Sequence, residues 1–420
     1  MLFRSDDVAA VAMLVDMVRR DAPSFAADLR AWIGMCLAVR TPRDGHTCVD
    51  FSSIGDWCGD IDLAQANHIA WPCDAEAWTG PLAAAKPLVG DSGSRAPFVL
   101  ESTRLYLARS LHEEEAIARR LSGVDEARVE ILLGGPGTGK TTKVATRLIE
   151  LIRANPDTQI ALAAPTGKAA TRMAEALKAR LHDPNAPEDI SHAPREVRDK
   201  VENVRPVTIH KLLGYRPHGT PRYAFRAGNQ LASGLVVIDE ASMLSSSMMH
   251  HLLAALGKET RLLLVGDPDQ LASVDAGTVL GDIAKAAARA GSPLAARTET
   301  LRIRHRFGPR IGALADALLE PDGVGLERAF AILERRWDPP ADPGNTKPDD
   351  PKSIEWIEPG DRALQGLVTR IVDHARTCRD LAREHSVAEA LATRKKLQVL
   401  CAHRAGPMGV AGWKIGRAHV

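Results

Sequence analysis

The chain has 420 residues, 45% of them apolar and 25% charged, with a net charge of +1. At about 150 residues per domain this length suggests two to three domains, and the composition excludes a wholly disordered or collagen-like chain. The longest strongly apolar stretch, residues 31–39, lies between Arg30 and Arg40 and is far short of the roughly 18 residues a membrane span needs.

Residues 1–115 read as a mainly helical block. Val8, Val11, Met13, Leu14, Val15 and Val18 give residues 7–20 a broad apolar helix face, and 25–39 is a second such stretch. Asp6, Asp7 and Asp16 stand where a signal peptide would be apolar, so the expected compartment is the cytoplasm. Residues 41–45 form a polar turn, and 81–97 are rich in Gly, Pro and Ser. Six cysteines stand at 36, 48, 58, 73, 378 and 401 without C-x-x-C spacing, which reads as reduced structural thiols. His46, Cys48, Cys58, His68 and Cys73 are available for zinc, but their irregular spacing argues against it.

After Gly123 short apolar runs alternate with helical stretches. Strands are expected at 129–133, 160–164, 235–238 and 261–265, and helices at 141–153, 169–182, 243–256 and 279–290. That alternation predicts an α/β fold, a parallel sheet with helices on both faces. The Pro-rich segments 182–206 and 337–351 read as surface insertions, and a mixed segment runs from Leu301 to the end.

Three of the strand ends carry chemistry. Gly134, Gly135, Pro136, Gly137, Thr138, Gly139, Lys140 and Thr141, followed by Thr142, match G-x-x-x-x-G-K-[ST] between a strand and a helix. Glycines let the backbone wrap a phosphate, and the helix N-terminus adds partial positive charge. Lys140 is placed to reach the β- and γ-phosphates of ATP, and the Thr141 hydroxyl to bind Mg²⁺. The strand 235–238 ends in Asp239 and Glu240. In a phosphate-loop enzyme the first holds the Mg²⁺ shell and the second orients or deprotonates the attacking water; an acidic pair capping a helix is the competing reading. Gln270, in Gly266-Asp-Pro-Asp-Gln-Leu, is placed to sense the γ-phosphate, against an ordinary turn.

The motifs in order resemble a known family. Gly134–Thr141, Ala164-Pro-Thr-Gly-Lys-Ala-Ala-Thr-Arg172, Thr208-Ile-His-Lys-Leu-Leu-Gly214, Val237-Ile-Asp-Glu-Ala-Ser-Met243 and Gly266-Asp-Pro-Asp-Gln-Leu-Ala-Ser273 look like motifs I, Ia, Ib, II and III of superfamily 1 helicases. Val274-Asp-Ala-Gly-Thr-Val-Leu-Gly-Asp-Ile283, His305-Arg-Phe-Gly308, Leu400-Cys-Ala-His-Arg-Ala-Gly-Pro-Met-Gly-Val-Ala-Gly412 and Gly45-His-Thr-Cys-Val-Asp50 resemble the RecD family, the alpha chain of exodeoxyribonuclease V. The likeness covers roughly residues 25–413. It implies a partner-docking block at 1–115, a RecA-like first motor domain with the ATP site at 116–298, and a partial second motor domain at 299–420. It also implies 5′→3′ movement on DNA, action at duplex ends, and assembly with RecB-like and RecC-like subunits, one of which holds the nuclease.

Under this reading Pro165, Thr166, Gly167 and Lys168 offer N–H, hydroxyl and ammonium groups to a DNA phosphate, while Thr166 also suits a helix cap. His210, with Lys211, is a further DNA contact, and Tyr215 and Phe225 either stack on bases or pack in the core. Among Arg297, Arg302, Arg304, Arg306 and Arg310, motif position picks out Arg306 as an arginine finger, against a solvated basic helix face. Two departures from the pattern stand out: no glutamine lies between Gln65 and Gln159, and motifs V and VI are missing. An incomplete reading frame is therefore expected. The alternative function is a non-catalytic, nucleotide-binding assembly subunit, and a third is a stand-alone or conjugative helicase.

Overall fold

The structure is a computed structural model, and it describes residues 4–22, 25–54, 74–123, 128–270, 273, 275–303, 308–320, 323–334, 354–357, 362–406 and 409–413. These residues fall into two compact units, one reaching residue 303 and the other starting at 308.

In the first unit, α1 (Ser5–Asp21) packs on α2 (Leu29–Arg40) through Val11 and Val15. The Asp7 side chain accepts the Arg4 N–H at the start of α1 and pairs with Arg43. Burial opposes its charge, but these donors hold the carboxyl below the usual range. Asp28 caps α2 by accepting the Arg30 N–H at 2.7 Å. Four short strands then form a sheet ordered β1-β4-β3-β2: β1 (Cys48–Asp50), β2 (Val89–Gly90), β3 (Phe98–Glu101) and β4 (Arg104–Leu107). The helix α3 (Glu76–Ala84) precedes β2. Phe51 stacks on Trp78 at 5.2 Å, with Met35, Leu82 and Phe98 in the same core. This sheet adds to the helices expected of the block.

The next helix, α4 (Ala108–Leu121), runs out of β4 toward a six-stranded parallel sheet ordered β10-β5-β9-β8-β6-β7. Its strands are β5 (Arg128–Gly134), β6 (Ile160–Ala164), β7 (Val207–Thr208), β8 (Leu235–Ile238), β9 (Arg261–Gly266) and β10 (Thr298–Leu301). Alternate residues serve opposite faces. Leu132, Leu162, Val237 and Leu263 face α5 (Lys140–Ala154) and α6 (Gly167–Leu181). Ile131, Val236, Ile238 and Leu264 pack on the other side, with Leu252 and Ile283 from helices that follow β8 and β9. Both faces are thus covered, as expected of the α/β class. β10 pairs with β5, so the sheet continues through Leu301.

Segment 182–206 departs from the surface insertion that its prolines suggest. It contains the short helix Glu188–Ser191 and α7 (Arg195–Glu202), and Ile190 and Val201 are buried beside Leu148 and Leu177. Pro187 and Pro194 cap these helices, where a missing N–H costs nothing, so they start helices rather than break them. The segment 337–351 lies outside the described residues. Next in chain order come α8 (Ser246–Ala255), against which α4 packs, and α9 (Val279–Ala287).

The second unit is helical among the described residues. It contains α10 (Pro309–Leu319), α11 (Gly323–Leu333), α12 (Arg362–Arg383) and α13 (Val387–Arg394). Ala317, Ala329 and Ile332 form its small core. Among the described residues no helix is long and apolar enough to cross a membrane.

Candidate nucleotide site

β5 delivers Gly134 to the C-terminal edge of the sheet, and α5 begins six residues later at Lys140. Gly137 (φ 78°) and Gly139 (φ 87°) take left-handed backbone, which L side chains rarely adopt. The loop therefore turns back on itself and presents the N-terminus of α5 to a cavity of about 990 Å³. The Lys140 ammonium donates to the Gly134 carbonyl and to the Gly135 carbonyl, the latter at 3.1 Å. Thr138 Oγ1 donates to the Gly135 carbonyl at 2.9 Å. Pro136, Thr141 and Thr142 line the same cavity.

Two strands away in the sheet, β8 carries Asp239 and Glu240 to that cavity. Burial pushes the Asp239 carboxyl up to about 6; the Glu240 backbone N–H and the charge of Lys140 oppose this, and the Glu240 carboxylate charge adds to it. Glu240 sits in left-handed backbone (φ 53°, ψ 43°) and opens the 3-10 turn Ala241–Met243. Such a conformation costs a side-chain-bearing residue roughly 1–2 kcal/mol. Gly266, at the end of β9, makes that turn possible. A Cβ there would lie 3.2 Å from the backbone nitrogens of Ala241 and Ser242 and 2.5 Å from Leu280 Cδ2.

Asp267 follows, only 4% exposed. Its carboxylate accepts the Asp269 N–H at 3.2 Å and the Gln270 side-chain amide at 3.4 Å. Gln270 lines the cavity with Lys140, Thr141, Asp239 and Glu240. Asp267 is the orienting residue that sequence reading passed over. Its signal in the sequence is the Asp-Pro-Asp turn ahead of the glutamine.

The Thr141 hydroxyl and the Asp239 carboxylate are hard oxygen donors on one cavity, and Asp239 is buried with a single cation, Lys140, lowering its pKa. That donor set fits a magnesium ion completed by phosphate oxygens and water. Among the described residues no group of three His, Cys, Asp or Glu side chains could hold a metal. Of the zinc candidates, His46 and Cys48 are described, while Cys58, His68 and Cys73 lie outside the described residues.

Beside this cavity β6 ends in Pro165 and the exposed Thr166, Gly167 and Lys168. Thr166 caps α6 by accepting the Ala169 N–H at 3.2 Å. On the neighbouring strand β7, Thr208 caps the short helix Ile209–Leu212, on which His210 is exposed. The two strand ends are neighbours: a Cβ on Gly167 would lie 3.9 Å from Thr208 Cγ2. Phe225 packs against the core, whereas Tyr215 is 39% exposed and meets His210 edge-on at 5.2 Å.

Arg304 and Arg306 lie outside the described residues. Arg297 bonds the Leu121 carbonyl, and Arg310 is buried, bonding the Ile332 carbonyl. The arginines of this segment therefore do not form one solvated face.

Comparison with known proteins agrees with this geometry. The RecBCD enzyme subunit RecD N-terminal domain family matches residues 1–106, and an AAA domain family matches 115–276. The RecBCD enzyme subunit RecD of Mycolicibacterium smegmatis is 35% identical across 94% of this chain and 69% of its own length. The chain belongs to the RecD family. Another relative, the RecBCD enzyme subunit RecD of Mycobacterium tuberculosis, is 35% identical across 92% of the chain and 66% of its own length. The chain thus spans about two thirds of the length of these mycobacterial RecD proteins. The ATP-dependent RecD2 DNA helicase of Deinococcus radiodurans is 37% identical across 43% of the chain and 21% of its own length. Nucleotide use follows from the AAA match, which takes in the phosphate loop and both acidic strand ends.

Proposed function

We propose that this RecD-family chain is an ATP-driven 5′→3′ DNA motor working in the cytoplasm at double-strand ends, within a complex that includes RecB-like and RecC-like subunits. One observation carries the proposal: Lys140, Thr141, Asp239, Glu240 and Gln270, from three strand ends, line one cavity. Lys140 leaves the loop carbonyls to hold the β- and γ-phosphates of ATP. Thr141 and Asp239 would hold Mg²⁺, which when bound neutralises developing charge on the phosphoryl oxygens. Glu240 accepts the proton of the attacking water, and Gln270, held by Asp267, contacts the γ-phosphate. Arg306, by its motif position, is the arginine finger. Pro165, Thr166, Gly167, Lys168 and His210 grip the phosphates of single-stranded DNA. The convergence of Lys140, Thr141, Asp239, Glu240 and Gln270 on one cavity favours turnover over the non-catalytic assembly role.

The test is the ATPase rate of the full chain, with and without single-stranded DNA, for wild type and Glu240→Gln. Wild type is expected to hydrolyse ATP faster with DNA. The variant is expected to bind ATP equally well and to lose at least about 10²-fold in rate. Equal rates in the two proteins would remove Glu240 from the base role. Nucleotide binding without wild-type turnover would favour the assembly subunit.

A further inference from the structure

Six polar rings form a continuous track across the first unit. His210 meets Tyr215 at 5.2 Å, Tyr215 meets Tyr223 at 5.4 Å, and Tyr223 meets His251 at 4.5 Å. His251 then meets His250 at 5.5 Å, and His250 meets His112 at 5.8 Å. The track joins four pieces of chain: the helix after β7, the segment that follows it, α8 and α4. His112, His210 and Tyr215 are exposed, and the other three rings are half-buried. Among the described residues the rings of His112, His250 and His251 make no hydrogen bond to protein. Each of these three rings meets another ring of the track.

Charge near the track has both signs, with Glu113 acting on His250 and His251. Lys211 follows His210, Arg222 acts on Tyr223, and Arg109 acts on His251. Of the nearby carboxylates, Glu113 is buried and accepts the Ser247 hydroxyl at 3.1 Å, and Asp275 lies toward Tyr223. The near end of the track adjoins Thr208, next to Gly167 in the segment assigned above to DNA phosphates. Aromatic rings beside cationic groups are how proteins hold single strands through their bases.

We infer that His112, His250, His251 and Tyr223 extend the DNA path beyond His210, as a surface on which successive bases of a single strand stack across α8 onto α4. This rests on the DNA-motor reading and adds the strand's route and the groups that hold its bases. His250 and His251 supply ring faces, and Arg109 and Arg222 supply charge to the phosphates alongside.

The test compares binding of a fluorescent oligo-dT of about 20 nucleotides with an abasic strand of equal length, which keeps the phosphates and lacks the bases. Wild type is expected to prefer oligo-dT by about tenfold or more. The triple variant His112→Ala, His250→Ala, His251→Ala is expected to lose most of that margin while binding the abasic strand as before. The triple phenylalanine variant at these positions keeps the ring faces and is expected to retain the margin, which separates lost stacking from damaged folding. The inference is overturned if the alanine variant keeps the wild-type margin, if the phenylalanine variant loses it as fully, or if wild type binds both strands equally. If wild type binds neither strand, the DNA-motor reading falls with it. If Lys168→Ala weakens both strands and the alanine variant changes nothing, the motor reading stands and only the ring track falls.

Discussion

Asp239 shows how one carboxyl can serve a site at a cost to its fold. Burial raises its pKa from 3.8 to about 6. Between those values the folded, ligand-free chain keeps a proton that the unfolded chain has lost. Stability must therefore fall as pH rises through that window and stay level above it. Asp239→Asn has no such proton and is expected to lack this component. Melting curves of wild type and variant across pH 4 to 7, differing by a pH-dependent margin, would check it; parallel curves would mean that Asp239 titrates normally. A bound divalent cation reverses the sign, because it favours the ionised form. Magnesium-dependent ATP binding is thus expected to weaken as pH falls below about 6. The site residues that line the cavity were legible because each falls at a strand end within a recognisable spacing. The left-handed backbone at Glu240 was not, since nothing in Asp-Glu-Ala-Ser marks it. The close packing of Gly266 against the turn appears only in the fold.

At the scale of elements, legibility followed burial. β5, β6, β8 and β9 are covered on both faces and so appear as continuous apolar runs. The N-terminal strands have two to four residues, too short for a period of two to show, and β2 and β3 abut a Gly- and Pro-rich stretch. β7 and β10 are edge strands whose residues are only partly buried, which hid them as well. The helices of 182–206 were hidden by their own prolines. Their burial has a measurable consequence: Ile190 is 0% exposed, so Ile190→Ala is expected to cost about 2–5 kcal/mol. The same change in a surface insertion would cost under about 0.5 kcal/mol. Chemical denaturation of wild type and variant separates the two.

At the scale of the molecule, the N-terminal block and the nucleotide-binding sheet belong to one compact unit. The Gly277 N–H donates to the Gly45 carbonyl at 3.1 Å, Ser247 bonds Glu113, and α4 packs on α8. Damage to one part should therefore register in the other. Phe51→Ala, in the N-terminal core, is expected to cost about 3–5 kcal/mol and to lower the temperature at which nucleotide protection is lost. Calorimetry with and without ATP would show it as a common shift. An N-terminal transition that moves alone would show the two parts to be independent.

The glycine at the end of β9 has one more consequence. A methyl group on Gly266 would lie only 3.2 Å from the backbone nitrogens of Ala241 and Ser242, so the two strand ends meet with little slack. Gln270 hangs from one side of that joint and Glu240 from the other. Under the proposed roles, a displacement of the glutamine loop is expected to reach the Ala241–Met243 turn, and Gly266→Ala to disturb both strand ends together, read as a joint loss of ATP affinity and ATPase rate. On that reading, sensing the nucleotide and readying the water would be one mechanical event, and a single added carbon atom at Gly266 would disturb it.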